Sequence, residues 1–325
     1  MAVRMKGGIW MQIVDFTHDH IEAAVQLAKQ NYVEERGFVP VLPPVDRLPD
    51  LMLYAKNGLG VTAFEGDTMI GFLCSVPPFK NAFRSTDATG VFSPMGANGA
   101  IGENRAKIYT RLYQAAGEKW VRAGASSHAV CLYAHDREVQ KQFFRYGFGL
   151  RCIDAIRGMD EIIVPPCEDY SFSELAPKEV LEILPLENML DESYIASPFF
   201  MFRAKENEAV FLKKCEYFKS VYFTAKYEGQ IVAFVRAELD GENFICNTPG
   251  YLHVKGAYCL PEHRGKGVNQ KLLSILVQNL KTKGYTRLGV DFESLNPTAY
   301  GFWLKYFDAY THSVVRRIDE KILEV

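Results

Sequence analysis

The sequence lacks the features that mark several specialised classes of protein. Its 37 Lys and Arg residues are balanced by 39 Asp and Glu residues, so it has none of the basic excess that is typical of nucleic-acid-binding proteins. Its seven cysteines form no C-x-x-C pair, which argues against a zinc ribbon or a disulfide framework and favours a reducing compartment. No apolar run is long enough to span a bilayer. We therefore expect a cytoplasmic protein without nucleic-acid or membrane partners, and its oligomeric state stays open.

The sequence contains instead an internal repeat of one unit. With 325 residues, of which 48% are hydrophobic, the chain can form a core and has the length of two domains. The segments VTAFEGDTMIGFL and FTAKYEGQIVAFV both predict a β-hairpin and are centred on Glu65 and Glu228. The segments FFRYGF and FWLKYF begin at Phe143 and Phe302, and their offset is nearly that of the two glutamates. Two matches at nearly one offset indicate tandem copies of about 150 residues.

Hydrophobic periodicity predicts alternating helices and strands in both copies, which is typical of a mixed α/β fold. The proline pair in residues 164–169 is expected to form a stiff linker. We therefore divide the chain into an N-terminal extension (1–10), a first domain (11–163), the linker and a second domain (170–325). Besides the hairpins, the predicted helices lie at about 17–35, 104–122, 136–146, 174–193, 206–219, 268–282 and 297–306, and the predicted strands at about 128–133, 252–260, 286–292 and 311–318.

The segment from Arg264 to Gly267 is the most informative stretch for chemistry. It joins a strand that ends at Pro261 to an amphipathic helix. Two glycines allow backbone amides to approach an oxyanion, the helix start leaves those amides unpaired, and Arg264 and Lys266 add positive charge. We interpret it as an anion-binding loop; the alternative is a basic turn whose glycines only ease the corner. It matches neither the Walker loop nor the G-x-G-x-x-G dinucleotide motif.

The segment PEHRGKGV, residues 261–268, resembles the [QR]-x-x-G-x-[GA] acyl-CoA loop of the GNAT acyltransferase superfamily. Arg264 and Gly267 match the first two defined positions, whereas Asn269 departs from the usual Gly or Ala. The later segment NPTAYGFW, beginning at Asn296, is similar to the N-x-x-A-x-x-F-Y segment of the same superfamily. Residues 90–106 of the first copy lack the loop. The chain thus resembles a tandem GNAT protein whose first domain is degenerate.

The resemblance implies that each domain has a mixed, mainly antiparallel central sheet flanked by helices. It also implies acetyl-CoA, or another acyl-CoA, as co-substrate in an opening between the strand ending at Leu260 and the strand ending near Phe292. Amides around Cys259 and Leu260 would contact the pantetheine and the thioester, and the loop would hold the pyrophosphate. The residues implied in CoA binding are Cys259, Leu260, Arg264, Gly265, Lys266, Gly267, Val268, Asn269 and Asn296.

The resemblance implies further that an amine, carried by a small molecule or a peptide, attacks the thioester directly. The family's tyrosine acid is replaced by Trp303, whose indole N–H is too weakly acidic for that role. Tyr300 is the better substitute and Tyr306 the other; packing or solvation is the alternative role of Tyr300. Asp291 and Glu293 share one strand face and are the candidate bases, directly or through water, with a structural salt bridge as the alternative.

Other residues point to chemistry less strongly. Cys259 is expected to be a small apolar strand residue rather than a nucleophile. His253 is expected to be a structural histidine, with a position facing the cleft as the alternative. The cluster Phe199, Phe200 and Phe202 is expected to pack in the core, with a wall of the acceptor pocket as the alternative. The leading function is an acyl-CoA-dependent N-acyltransferase. The alternative is an acyl-CoA-binding or regulatory module without turnover.

Overall fold

The computed structural model describes residues 2–4, 10–46 and 48–325. Residues 1 and 5–9 of the predicted extension lie outside the described residues. Two compact units can be distinguished, one formed by Met1–Ile153 with Ala309–Val325 and the other by Asp154–Asp308. The sequence division at residues 164–169 differs from this one, because the second unit already begins at Asp154 and the chain returns to the first unit after Asp308. No helix among the described residues is both long and apolar enough to cross a membrane.

The first unit combines antiparallel strands with two long helices. Five of its strands form an antiparallel sheet in the order β1-β2-β3-β4-β6, and β7 pairs in parallel with β5 and in antiparallel fashion with residues 311–317. The elements in chain order are β1 (Ala2–Arg4), β2 (Trp10–Asp15), α1 (Ile21–Phe38), α2 (Met52–Asn57), β3 (Val61–Glu65), β4 (Thr68–Leu73), β5 (Gly90–Ser93), β6 (Asn98–Ala100), α3 (Arg105–Arg122), β7 (Ser127–Tyr133), α4 (Arg137–Arg145) and β8 (Gly149–Gly158), which runs across the division between the units.

The second unit repeats this plan with a longer central strand. Strands β9 to β12 form an antiparallel succession, and β13 lies parallel to β12. The elements are β9 (Tyr170–Glu174), α5 (Leu184–Ser193), α6 (Glu208–Phe218), β10 (Val221–Tyr227), β11 (Gln230–Glu238), β12 (Tyr251–Cys259), α7 (Val268–Thr282), β13 (Arg287–Glu293), α8 (Pro297–Trp303) and β14 (Asp308–Arg317), of which β14 pairs in the first unit.

Helices cover the sheets because each presents an apolar stripe to them. In the first unit, α3 buries a row of side chains that includes Ile108, Leu112 and Trp120. In the second unit, α7 buries Leu272, Leu273, Leu276 and Leu280 as its spacing predicted, and it packs on β10, β11 and β12. A second cluster, formed with α5 and α6, fills the space around Phe211, Tyr222 and Phe234. The predicted mixed, mainly antiparallel sheets flanked by helices are confirmed.

Both predicted hairpins are present, and they share an irregularity that the sequence did not reveal. The pairing of β3 with β4 shifts register after Ala63, and the pairing of β10 with β11 shifts after Ala225. The two bulges are therefore separated along the chain by nearly the same offset as the sequence repeat. β-Bulges are conserved within protein families. A bulge at the same place in both hairpins therefore supports the interpretation that the unit is duplicated.

Candidate active site

The opening of the second unit begins where two parallel strands stop pairing. The register of β12 with β13 comprises Tyr251↔Arg287 through Val254↔Val290. Strand β12 continues to Cys259 and is paired there only with β11. The edge of residues 255–259 that faces β13 therefore has no strand partner among the described residues, at the place where the sequence predicted an opening.

Alternation along β12 decides which amides face this opening. The Leu260 N–H donates to the Val232 carbonyl at 2.9 Å, so Leu260 belongs to the sheet and does not offer the amide expected of it. In an antiparallel ladder the neighbouring residue points its N–H and C=O the other way. Cys259, opposite Ala233, therefore directs its amide towards the opening. Burial raises the pKa of the Cys259 thiol to about 11, which fits a packed strand residue rather than a nucleophile.

The loop between β12 and α7 adopts the geometry of an anion-binding cradle. Gly265 and Gly267 have φ values of +75° and +81°, a left-handed region that favours glycine. Gly267 is the N-cap of α7, and it supplies no side chain to the first helical turn. The first amides of the helix, from Val268 onward, are left for water or a ligand. A cavity of about 240 Å³ lies here, lined by Cys259, His263, Arg264, Gly265, Gly267, Val268, Asn269, Gln270 and Phe302.

Side chains around the cradle are partly committed to the protein itself. The Arg264 Nε donates to the Cys259 carbonyl at 2.9 Å, so this arginine also fixes the end of β12. Lys266 is exposed, and its carbonyl accepts a weak hydrogen bond from the Cys167 thiol at 3.6 Å. The Asn269 Oδ1 is buried without a hydrogen-bond partner among the described residues. Asn269 therefore offers polar capacity to a ligand at the position where the sequence departs from the family motif.

Asn296 acts as a helix cap. Its Oδ1 accepts hydrogen bonds from the Ala299 amide at 2.9 Å and the Thr298 hydroxyl at 2.8 Å. These bonds fix the first turn of α8. They leave the Asn296 side-chain NH₂ group to donate elsewhere, and its predicted part in CoA binding stays a prediction.

The aromatic residues of α8 divide into buried and accessible ones. Trp303 is buried and packs edge-on against Phe302 and Phe307, with ring centroids 4.8 and 5.5 Å away. Tyr300 is 44% exposed and lies edge-on to Phe292 at 6.4 Å. The helix ends at Trp303, so the prediction that it extends to Tyr306 is wrong. Tyr300 thus combines a helical position with access to solvent.

Asp291 lies one residue beyond Val290, the last residue of β13 that pairs with β12, and so at the apex of the opening. Its Oδ1 accepts hydrogen bonds from His253 Nε2 at 2.7 Å and Lys255 Nζ at 3.0 Å. The His253 ring is fully buried, and its other nitrogen lies 2.7 Å from the Tyr251 hydroxyl. A Cβ on Gly289 would meet that hydroxyl at 1.6 Å, so glycine is required beside it. His253 thus has the structural role expected of it.

Electrostatics within this group are dominated by the Asp291 carboxylate. Burial alone would raise the pKa of Asp291, but the hydrogen bonds and charges of His253 and Lys255 outweigh it and hold the pKa well below its usual range. Burial would lower the pKa of His253, yet the partnership with Asp291 raises it to about 9. Asp291 is therefore a fixed anion. Glu293 lies at the end of β13. Burial is the main cause that raises the pKa of Tyr194, and the negative charge of Glu293 raises it further.

Two further groups were not predicted from the sequence. Glu242, in the loop after β11, has a carboxylate oxygen within 4.8 Å of one from Asp291. Arg236 is buried with an ion pair to Glu187 at 2.9 Å, and its Nη2 donates to the Lys255 carbonyl at 3.2 Å. A lone acidic residue in a loop gives no sequence signal. The Arg236 pair joins β11 to α5, two elements that are far apart in the sequence.

The phenylalanine cluster 199–202 lies partly in solvent. Phe200 and Phe202 are 77% and 76% exposed, so the prediction that they pack in the core is wrong for both. Phe199 contacts the Tyr194 ring at 5.1 Å. The segment follows the end of α5 as irregular chain at the surface, and a pocket wall remains the alternative for its exposed rings.

In the first unit, the corresponding opening is bridged by side chains. Strand β5 pairs with β7 up to Ser93 and Val130. Beyond that point, Asn98 Nδ2 donates to the Cys131 carbonyl at 3.2 Å, and its Oδ1 accepts from the Tyr109 hydroxyl at 2.7 Å. Asn98 therefore joins strands that are separated in the second unit.

The cradle of the first unit is replaced by a short loop and an ion cluster. Four residues, 101–104, connect β6 to α3, against eight residues, 260–267, between β12 and α7. The Arg105 guanidinium forms ion pairs with Glu34 at 2.6 Å and Asp136 at 3.3 Å, and its Nε donates to the Ala100 carbonyl at 3.1 Å. Residues 90–106 thus lack the glycine cradle, and the charge of Arg105 is neutralised by two carboxylates.

Comparisons with known proteins agree with this geometry. The acetyltransferase (GNAT) family model matches residues 186–308. A GCN5-related N-acetyltransferase from Sphaerobacter thermophilus superposes with a TM-score of 0.52 at 12% identity, over 94% of this chain and 95% of that chain. A GCN5-related glucosamine N-acetyltransferase region of a fungal multi-domain GH3 β-N-acetylglucosaminidase gives 0.50 at 12% identity, over 94% of this chain and 38% of that longer chain. No curated protein gave a significant match. The chain therefore has the fold of GCN5-related N-acetyltransferases, and its residues 186–308 form a domain of the acetyltransferase (GNAT) family.

Proposed function

We propose that the protein is an acyl-CoA-dependent N-acyltransferase that moves an acetyl group from acetyl-CoA to a primary amine. One observation carries the proposal. In the second unit, a strand opening with free backbone amides leads directly into a glycine cradle at the start of α7. The amides at the cradle and the charge of Arg264 and Lys266 suit a pyrophosphate. The free edge of β12 suits an extended amide-containing arm.

The proposed reaction needs no covalent bond between the acyl group and the protein. A deprotonated amine attacks the thioester carbonyl, the C–N bond forms, and the C–S bond breaks as CoA leaves as a thiolate. The protein must orient the two reactants, remove a proton from the amine and protonate the thiolate. We propose Tyr300 for the last role, with Asp291 and Glu293 supplying negative charge beside the amine. Small-molecule and peptide amines both fit this chemistry.

The second candidate function is an acyl-CoA-binding module without turnover. It is favoured by the burial of Trp303, which stands where the family has its tyrosine acid. The two functions are separated by measuring CoA release with a thiol reagent across a broad panel of amines, alongside calorimetric binding of acetyl-CoA. Amine-dependent release supports the enzyme. Binding without release across the panel supports the module.

A further inference from the structure

The apex of the opening contains two carboxylates of different character. Asp291 is bound on one oxygen by both His253 and Lys255. Glu242 lies within 4.8 Å of Asp291, in a loop rather than on a strand, and its side chain is exposed to solvent. A proton taken up by Glu242 can therefore leave to water, whereas Asp291 is committed to two cationic partners.

The surroundings of Glu242 make it the more basic group. The negative charge of Asp291 is the largest cause that raises the pKa of Glu242 to about 7, followed by partial desolvation of the carboxyl group and the charge of Asp154, while Lys255 and His253 act in the opposite direction. A general base works best when its pKa lies near the working pH. A carboxylate in the ordinary range is a weaker acceptor for an amine proton.

We propose that Glu242 is the residue that accepts the proton of the acceptor amine, and that Asp291 is a positioning residue that acts through Glu242. The inference rests on the proposed function, since it assigns the proton acceptor of that reaction. His253 and Lys255 keep Asp291 ionised, and its fixed charge makes Glu242 more basic than an isolated carboxylate would be.

The acceptor nitrogen enters the proposed reaction with three protons. The ammonium form of the acceptor, R–NH₃⁺, gives one proton to the Glu242 carboxylate, and the free amine then attacks the thioester carbonyl. As the C–S bond breaks, a second proton passes from nitrogen to the thiolate, directly or by way of Tyr300. The amide keeps the third proton. Glu242 returns its proton to water before the next turnover.

The first test compares pH profiles of kcat/KM for the wild type, Glu242→Gln and Asp291→Asn. We expect the acidic limb of the wild type near pH 7. Glu242→Gln should lower kcat/KM by about 10²-fold or more and remove that limb. Asp291→Asn should keep the limb but move it to lower pH, because the anion that raises the pKa of Glu242 is gone. Glu216→Gln, an exposed carboxylate on α6, is the matched control and should leave profile and rate unchanged.

The second test does not need turnover. Infrared difference spectra of the full chain between pH 5 and 9 should show a carboxyl group that titrates near pH 7 and is absent in Glu242→Gln. No such group, or a wild-type limb in Glu242→Gln, would overturn the inference while leaving the proposed function intact. Failure of the wild type to acylate any amine would instead count against the proposed function.

Discussion

The Arg236 guanidinium donates a hydrogen bond to the backbone carbonyl of Lys255, the residue at which β12 bulges away from β11. The register passes from Arg236↔Gly256 to Ala237↔Val254 and leaves Lys255 without a partner on β11. The bond of 3.2 Å therefore holds the bulge, and the bulge places the Lys255 ammonium against Asp291. The buried ion pairs of Arg236 on β11 thus support the part of β12 that lies at the apex of the opening.

Removal of Arg236 should destabilise the fold strongly. Arg236→Met leaves the buried carboxylates of Glu187 and Glu238 without their cation, and breaking a buried pair in this way costs about 3 kcal/mol or more. The free energy of unfolding, measured by denaturant titration, gives the test. Lys283→Met removes an exposed ion pair with Glu174 and should cost less than about 1 kcal/mol. Equal losses in the two variants would contradict a supporting role for Arg236.

Substitution of Gly267 should weaken CoA binding more than loss of the Lys266 charge. Valine at a φ of +81° is strained and places a branched side chain at the cradle, whereas Lys266 is exposed and its charge is screened by salt. Dissociation constants for acetyl-CoA should therefore rise more in Gly267→Val than in Lys266→Ala.

The control for this comparison is Gly284→Val, at the far end of α7. Gly284 has a φ of +87° and open space around it, so valine there strains the backbone without touching the cradle. It should lower stability and leave CoA affinity unchanged. A Lys266→Ala effect as large as that of Gly267→Val would mean that the loop works by charge rather than by amide geometry.

Acetyl-CoA should bind once per chain. The second unit has the cradle, whereas in the first unit Asn98 and Arg105 occupy the equivalent positions with internal bonds. Calorimetry on the full chain should give a stoichiometry of one, and Gly267→Val should weaken that binding. Two equivalent sites, or binding that survives the substitution unchanged, would be incompatible with this account.

Tyr300→Phe should lower kcat by roughly 10²-fold and leave the affinity for CoA nearly unchanged. The hydroxyl matters when negative charge develops on sulfur, which happens only during the reaction. Tyr306→Phe is the matched variant outside α8 and should be mild. Steady-state kinetics on both decide the assignment. A near-normal kcat in Tyr300→Phe would leave a water molecule, or no acid at all, to protonate the thiolate.

The His253–Asp291 pair should make stability depend on pH in a defined direction. Because folding raises the pKa of His253 from 6.5 to about 9, its contribution is complete below about pH 6.5 and is lost as the pH rises through 9. Because folding lowers the pKa of Asp291 from 3.8, its contribution is present above about pH 4 and is lost on acidification. The difference in unfolding free energy between wild type and Asp291→Asn should therefore be largest from about pH 4 to 6.5. A difference that grows above pH 9 would contradict the assignment.

Local patterns were enough to predict much of this structure. The predicted helix at 268–282 is α7, because its leucine spacing and flanking glycines depend on neighbours in sequence. The hairpins and the cradle were predictable for the same reason. The pairing of β14 with β7 was not, because it joins positions such as Val314 and Val130 through tertiary packing that no local pattern encodes.

The groups at the apex depend on partners distant in sequence. The pKa of Glu242 is set mainly by Asp291, which the chain reaches only after β12 and α7, and the loop around Glu242 gives no motif. Strand alternation in the sequence was enough to identify Asp291 and His253 as candidate site residues. Their hydrogen bond could not be predicted, because it depends on the parallel register of β12 and β13. The expectation that the Leu260 amide faces the opening was wrong because this amide donates to the Val232 carbonyl of β11. The sequence does not reveal that pairing.

The most direct test of the account follows an isotopically labelled acetyl group from acetyl-CoA to an amine by mass spectrometry and NMR. The wild type should deliver the label to the nitrogen of an acceptor, Gly267→Val should lose this transfer, and Gly284→Val should retain it. Label recovered only as acetate, or transfer that persists undiminished in Gly267→Val, would contradict it.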